Sequence, residues 1–411
     1  MPLAPRDPSM PPARTREAWV DAAKGAAIVL VVLFHAGGSV PGTTTGGRAW
    51  EQVNVVLVSV RMPLFFLVSG LFVGSALLGP AARYLRRRVW PLVYLFLLWA
   101  LLYAGLDAVS SGAFGRPALD SLLLQGTLWY LAGLAVHLAV ALALRGVPPA
   151  LQIAGAAVLA VPFAVWLPFE GGGLSHIPKY LVFFLIGCHG RQVVTALVAG
   201  AGRLRTTLLV LACGALMLLA VALRVLVPSV QELQAVVLFV LLPLVAVPLV
   251  LVCCRHIAPG RLGRRLCWLG RHTLPVFLLH PLALQLLDVL GGGALGEDPR
   301  LAWVLPPLLT VGALVISGAA WHGLEMYAPW LFAPTLHGSG RHTAGRRRAA
   351  AAPAPAAAPA PTPPPSVPRP RRPMDDDTTP ALGLPVAVHP DDALPTPVHG
   401  LRAVARPLAR R

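Results

Sequence analysis

The sequence contains few charged residues for its length. Charged side chains make up 12% of it, whereas soluble globular proteins have about 25%. Hydrophobic residues make up 56%, and the mean hydropathy is +0.69. Apolar runs of about 20 residues, the length that crosses a bilayer, recur along most of the chain. These features exclude a soluble protein with one apolar core and predict an all-α polytopic membrane protein.

Acidic residues are especially scarce: 17 Asp and Glu stand against 34 Lys and Arg, for a formal net charge of +17. In a soluble protein this balance would suggest nucleic acid. Here the basic residues form short clusters between apolar runs, as in loops that face anionic lipid. The usual soluble nucleic-acid-binding modules are absent from the sequence. We therefore predict the lipid bilayer as a partner and no nucleic acid.

Cysteine is also rare, and no cleavage signal follows the first apolar run. The five cysteines lack the paired spacing of metal sites, so we predict small core residues, without disulfides or a bound metal. A secretory signal peptide is the alternative interpretation of residues 14–38. It is disfavoured because no A-x-A-like site follows and the next apolar run begins soon afterwards.

The apolar runs predict about ten transmembrane helices. The Arg-rich loops follow the even-numbered spans, so the positive-inside rule places both termini in the cytoplasm. The predicted spans are about 18–38, 53–78, 89–108, 123–144, 149–167, 178–198, 206–227, 235–254, 272–290 and 301–322.

Composition also predicts three regions. Residues 1–15 are rich in Pro and Arg and are expected to be disordered, and residues 16–335 form the transmembrane domain. Residues 336–411 are a Pro-, Ala- and Arg-rich sequence that cannot bury a core, and they predict a disordered cytoplasmic tail. The composition is typical of a bacterium with a GC-rich genome, and we expect a multi-pass protein of the plasma membrane.

The first span, WVDAAKGAAIVLVVLFHAGG, carries three ionisable residues: Asp21, Lys24 and His35. Ionisable groups in a span usually face the bundle interior or a watery cavity and mark a functional site. The eleven residues from Lys24 to His35 cover about 16 Å and close to three turns, so both side chains lie on nearly one face. This face is predicted to line a reaction channel.

Six segments in order resemble the acyltransferase family 3 of integral membrane proteins. They are WVDAAKGAAIVLVVLFHA, MPLFFLVSGLF, RRRVWPL, TLWYL, YLVFFLIG and LGRHTLPVFLLH. The resemblance implies transfer of an acyl group, often acetyl, to hydroxyls of surface sugars and other acceptors. Two features depart from the family pattern. Lys24 replaces the more common Arg, and Leu85 stands three residues before Arg88, so an Arg-x-x-Arg pair matches only as Arg83 and Arg86 or out of register.

His35 is the predicted catalytic residue. An imidazole can accept the proton of a hydroxyl that attacks a thioester, and the resemblance implies the same role. A structural histidine within the bundle is the alternative. Lys24, Arg83, Arg86 and Arg88 are candidates for binding the phosphates of coenzyme A. The alternatives are an ion pair of Lys24 with Asp21, and topology and lipid contact for the arginines.

Ser69, Trp129 and His280 complete the candidate donor or substrate residues. Ser69 is suited either to a hydrogen bond toward the acyl oxygen or, with Gly70, to close helix packing. Trp129 lines the pocket or a helix interface. His280, between Pro275 and Pro281, is a second polar group in a span that proline distorts.

The sequence thus predicts an O-acetyltransferase-like enzyme that moves an acyl group from acyl-CoA, with acetyl-CoA as the expected donor. The acceptor is a hydroxyl of a cell-surface glycan, a glycolipid or a small metabolite. No cofactor other than this donor substrate is expected. The alternative is a membrane transporter or exporter, which would show broken helices at matching places in its two halves.

Overall fold

A computed structural model describes residues 17–111, 126–165, 176–227 and 231–334. Within these ranges the chain is helical and forms no strand, which confirms the predicted all-α class. The two predicted disordered regions, 1–15 and 336–411, lie outside the described residues, and their disorder stays a prediction.

Twelve helices of at least nine residues occur in the described ranges, and shorter helical turns join some of them. Their bounds are α1 Ala18–Gly37, α2 Thr45–Gly70, α3 Trp90–Ser111, α4 Trp129–Ala143, α5 Pro149–Val165, α6 His176–His189, α7 Arg191–Ala199, α8 Arg203–Leu226, α9 Leu242–Ile257, α10 Arg261–Arg271, α11 Thr273–Leu287 and α12 Leu305–Tyr327.

Seven of the described helical segments are long and apolar enough to cross a membrane, or up to eight if the bent pair α6 and α7 forms one span. The helices α4 and α5 are apolar but shorter, with 15 and 17 residues. Each of the ten predicted segments therefore contains a helix. The number of membrane crossings and the cytoplasmic position of both termini stay predictions.

Several predicted bounds differ from those of the helices by a few residues, and two spans differ more. The second, about 53–78, begins earlier, because Thr44 caps α2 by accepting a 2.9 Å hydrogen bond from the Gly47 amide. The sixth, about 178–198, is not one straight helix, since the chain bends by 79° between α6 and α7 at Gly190.

Helix α1 lies at the centre of the bundle and packs against α2, α9, α10, α11 and α12. Of its apolar window, 61% is buried, whereas only 6% of the corresponding window of α8 is buried. The amphipathic helix α10 approaches α1 through two glycines. A methyl group on Gly25 would overlap the carbonyl of Leu266, and one on Gly270 would overlap the carbonyl of Asp21. Small residues thus allow the two backbones to touch.

A second glycine contact joins α2 and α6. A methyl group on Gly70 would overlap the carbonyl of Phe184, and one on Gly187 would overlap the carbonyl of Leu67. The predicted packing role of the Ser69-Gly70 pair is therefore seen at Gly70. This crossing holds the side chains of α2 and α6 in one fixed register, and both helices contribute to the candidate site.

The basic segment before α3 adopts a single wide turn. Residues Leu85–Val89 form a π-helix, in which the Trp90 amide donates to the Leu85 carbonyl five residues back. Pro91 follows and has no amide hydrogen to continue α-helical bonding. The three arginines of this turn therefore project from an irregular part of the helix.

Candidate active site

Two histidines from different helices meet inside the bundle. His35 lies in the last turn of α1 and His280 in the middle of α11, and their ring centroids are 5.3 Å apart. His280 is fully buried and His35 is half-buried. The fold thus joins the predicted catalytic histidine to the predicted second polar residue.

A proline fixes the tautomer of His280. Because Pro281 has no amide hydrogen, the carbonyl of Phe277 has no donor in the next turn. The Nδ1 atom of His280 lies 2.8 Å from this carbonyl and 3.2 Å from that of Val276. Since a carbonyl only accepts, Nδ1 carries the hydrogen and Nε2 keeps a lone pair. Nε2 is buried and has no hydrogen-bond partner among the described residues, so it can accept a proton or a hydrogen bond.

Arg61 lies beside the histidine pair and was not among the predicted site residues. Only 4% of its surface is exposed, and its guanidinium carbon lies 4.0 Å from the centroid of the Phe34 ring, next to His35 in sequence. Its Nη1 atom is buried and has no hydrogen-bond partner within the described ranges. A charged fork is therefore directed into the interior at the level of His35.

Lys179, on α6, is a second buried cation. It is 3% exposed, and its Nζ atom lies 3.8 Å from the centroid of the Phe239 ring and 5.6 Å from that of Tyr180. One turn earlier, the Nδ1 atom of His176 is also buried without a hydrogen-bond partner in the described part of the chain. Two buried cations and an unpaired imidazole nitrogen thus lie on α2 and α6.

Aromatic rings surround these polar groups. Trp129 lies 5.4 Å from His176 and 6.0 Å from Tyr180, centroid to centroid, so the predicted pocket residue contacts two residues close to Lys179 in sequence. Tyr180 in turn stacks on Phe66 at 5.6 Å. These rings exclude water and offer π-faces to cations.

Ser69 and Tyr130 form one hydrogen-bonded pair. The Ser69 hydroxyl donates to the Phe65 carbonyl over 2.8 Å, so it accepts from the Tyr130 hydroxyl at 2.9 Å. Its only hydrogen is thereby used within α2. Tyr130 touches Phe277 at 5.5 Å between centroids, and this contact links the pair to the helix that carries His280.

Lys24 lies at the other end of α1, half-buried beside Phe72. Its Nζ atom is 4.5 Å from the centroid of the Phe72 ring, and Arg191 approaches the same ring at 5.9 Å. Arg191 also pairs with Glu17 at 3.8 Å. Two contacts therefore connect α1 with α2 and the turn that follows it, namely Phe34 with Arg61 and Lys24 with Phe72. Ten or eleven residues, about 15 Å of helix, separate them.

The predicted donor-binding arginines lie apart from the histidines. Arg83, Arg86 and Arg88 are all exposed. Their segment is fixed to α4 by Tyr84, whose hydroxyl donates to the Leu138 carbonyl over 3.2 Å. Leu138 is nine residues, about 13 Å along the helix, from Trp129. An open groove of about 610 Å³ beside Arg86 is lined almost entirely by apolar side chains.

No set of three His, Cys, Asp or Glu side chains in the described ranges is arranged to hold a metal ion. Sequence reasoning did not select Arg61, Lys179 and His176. A signal for the two cations was present, because each stands alone inside an apolar run, where a charge is costly and is usually functional. The clustered arginines before α3 were selected instead.

Comparison with known proteins identifies the family. The model of acyltransferase family 3, described as an acyltransferase domain, matches residues 17–322, which include α1 to α11 and most of α12. No curated protein and no solved structure matches the chain significantly. The family match covers most of the sequence and includes both histidines of the pair. The chain therefore belongs to acyltransferase family 3 and is a multi-pass membrane acyltransferase.

Proposed function

We propose that this protein transfers an acyl group, with acetyl as the expected case, from acyl-CoA to a hydroxyl of a cell-surface glycan, a glycolipid or a small metabolite. The plasma membrane is the proposed location. The observation that carries the proposal is the pair of His35 and His280, 5.3 Å apart, with a free lone pair on His280. Two neighbouring imidazoles inside an apolar bundle suit proton removal from an alcohol.

The proposed reaction needs one proton carrier and no redox step. The imidazole of His35 accepts the proton as the acceptor oxygen attacks the thioester carbonyl, and a tetrahedral intermediate forms. The lone pair on His280 accepts a hydrogen bond from the His35 imidazolium and stabilises its charge. When the C–S bond breaks, the leaving thiolate takes this proton from His35. The products are an ester and free coenzyme A thiol.

The donor is proposed to enter at the end of α1 that carries Lys24. There Lys24 and Arg191 both lie near the Phe72 ring, and the exposed Arg83, Arg86 and Arg88 belong to the same predicted cytoplasmic side. Guanidinium and ammonium groups bind the phosphates of coenzyme A well. The acyl end then reaches His35 about 16 Å deeper in the membrane.

The test is thiol release from acetyl-CoA by the purified full chain in lipid nanodiscs, with pools of hydroxyl acceptors. His35→Gln removes the base, so we expect acceptor-dependent release to fall about 10²- to 10⁴-fold. His322→Gln changes an exposed histidine and serves as the control. Wild-type rates in His35→Gln at equal folded protein would contradict the assignment of His35. Acceptor movement across the bilayer of sealed proteoliposomes that hold the same protein, without thiol release, would support the transporter instead.

A further inference from the structure

The interior of the bundle contains two cations without a counter-charge in the described part of the chain. Arg61 and Lys179 are 4% and 3% exposed, and their charged groups lie near aromatic rings: Phe34 for Arg61, and Tyr180 and Phe239 for Lys179. Neither forms an ion pair or a hydrogen bond with a described residue. The two side chains come from helices that Gly70 and Gly187 hold in contact, so neither can easily move away to water.

Such an arrangement is costly in a protein without a ligand. A charge removed from water must be paired or hydrogen-bonded, and aromatic faces compensate for only part of the lost hydration. Lysine is also rare in this sequence, which has only two, Lys24 and Lys179, among 34 basic residues. A neutral side chain at either interior position would fit the apolar surroundings better. The cations are therefore expected to have a partner that is not part of the described chain.

The position of the two cations indicates where that partner binds. Arg61 contacts the ring of Phe34, which adjoins His35, and Trp129 and His176 lie on the side of Lys179. The proposed donor phosphates bind about 15 Å away along α1, at Lys24 and the exposed arginines. The partner of these cations is thus expected next to His35, on the side where the acceptor hydroxyl must bind.

We infer that Arg61 and Lys179 form an anion-binding subsite for the acceptor, which is a hydroxyl compound that also carries a carboxylate or a phosphate. This inference rests on the proposed function for the identity of the acceptor, but the binding of an anion does not depend on it. The planar guanidinium of Arg61 matches either oxyanion with two hydrogen bonds, and the ammonium of Lys179 adds a point charge. The His176 Nδ1 atom completes the subsite as a third polar group.

The first experiment measures the Tm of the full chain in nanodiscs of neutral lipid at constant ionic strength. The probes are inorganic phosphate, glucuronate and glucose 6-phosphate, with chloride and glucose as references. We expect at least one anionic probe to raise the Tm of the wild type, because a ligand that binds only the folded state stabilises it. Glucose and chloride should not raise it. No change with any anionic probe would overturn the subsite.

Variants locate the effect. Arg61→Gln and Lys179→Gln should weaken anion binding about 10- to 100-fold, the usual range for the loss of a hydrogen bond to a charged group. Without an anion their Tm should equal or exceed that of the wild type, because a buried unpaired charge has been removed. Lys179→Arg keeps the charge and should retain the anion effect, and Arg203→Gln, on an exposed residue of α8, should retain it fully. A lower Tm for both Gln variants, with the anion effect unchanged, would contradict the inference.

Two further measurements separate the acceptor subsite from the donor and from the proposed reaction. If coenzyme A raises the Tm and only that rise is lost in Arg61→Gln, the anion belongs to the donor and the inference is wrong. Anion binding that the variants abolish, in a protein that releases no thiol with any acceptor, would support the subsite and overturn the proposed function. A third outcome is that thiol is released as fast with glucose as with glucuronate or glucose 6-phosphate, and that the KM for the acceptor is unchanged in Arg61→Gln. This outcome would overturn the subsite and leave the proposed function standing.

Discussion

Two groups of basic side chains occur in this protein, in opposite surroundings. Arg83, Arg86 and Arg88 lie within six residues of one another before α3, all three are exposed, and Arg86 and Arg88 belong to the irregular turn. Arg61 and Lys179 stand singly in apolar helices and are almost completely buried. A cluster of exposed arginines costs little and serves topology and lipid contact as readily as catalysis. A single buried cation costs much, so the isolated charges carry the stronger indication of function.

After the loss of His35 itself, the largest effect is expected inside the bundle, at His280. His280→Leu removes the lone pair beside His35, and turnover should fall about 10²-fold with little change in the KM for the thioester. His137→Leu is the matched control. His137 is also buried, with one ring nitrogen 2.8 Å from a backbone carbonyl and the other without a partner in the described ranges, but it packs on Phe66 and Phe184. Equal losses of turnover in both variants would indicate a packing effect only.

The next effect concerns the glycine crossing that positions the interior cations. Gly70→Ala or Gly187→Ala places a methyl group on a backbone carbonyl of the facing helix, and overpacking of this kind costs about 1–3 kcal/mol. We expect a lower Tm in thermal unfolding for both variants. Gly214→Ala, in the exposed helix α8, meets no atom within 4 Å and should be neutral or slightly stabilising. Unchanged stability of Gly70→Ala would show that α2 and α6 are less tightly joined.

A smaller effect is expected when the proline that orients His280 is replaced. Pro281→Ala restores an amide that competes for the Phe277 carbonyl, so His280 is released from its single tautomer. Turnover should fall about tenfold, since removing the group that orients a ligand or base usually lowers affinity or activity by one to two orders of magnitude. Pro275→Ala, one turn before His280, is the control. A pH–rate profile that changes in Pro281→Ala and not in Pro275→Ala would support the orienting role.

The smallest effect is expected at the exposed arginines. Arg86→Gln and Arg88→Gln should each raise the KM for acetyl-CoA about fivefold and leave kcat unchanged, since an exposed charge contributes about 1 kcal/mol at most. The increase should shrink at high salt, where exposed charges are screened. Arg87→Gln, between them, is the reference. The same KM for acetyl-CoA in all three variants would assign the segment to lipid contact or topology rather than to donor binding.

Most of the fold could be predicted from the sequence, and the site only in part. Apolar length and loop charge indicated the helices, because a bilayer imposes both. The break at Gly190 was missed because hydropathy continues across it. The approach of His35 to His280 depends on how α1 and α11 pack, which a hydropathy pattern does not contain. Arg61 directly precedes the matched segment MPLFFLVSGLF but was overlooked beside the larger cluster of arginines. The roles of all these residues in catalysis stay predictions.

The glycine crossing also has a mechanical consequence. Backbone atoms of α2 and α6 touch at Gly70 and Gly187, so the two helices can neither slide past nor part from each other without breaking contact over several turns. They form a stiff wall that bears both interior cations. The His35 and His280 imidazoles stand on α1 and α11, outside this wall. A movement of α1 or α11 would therefore shift the two imidazoles relative to two cations whose positions are fixed.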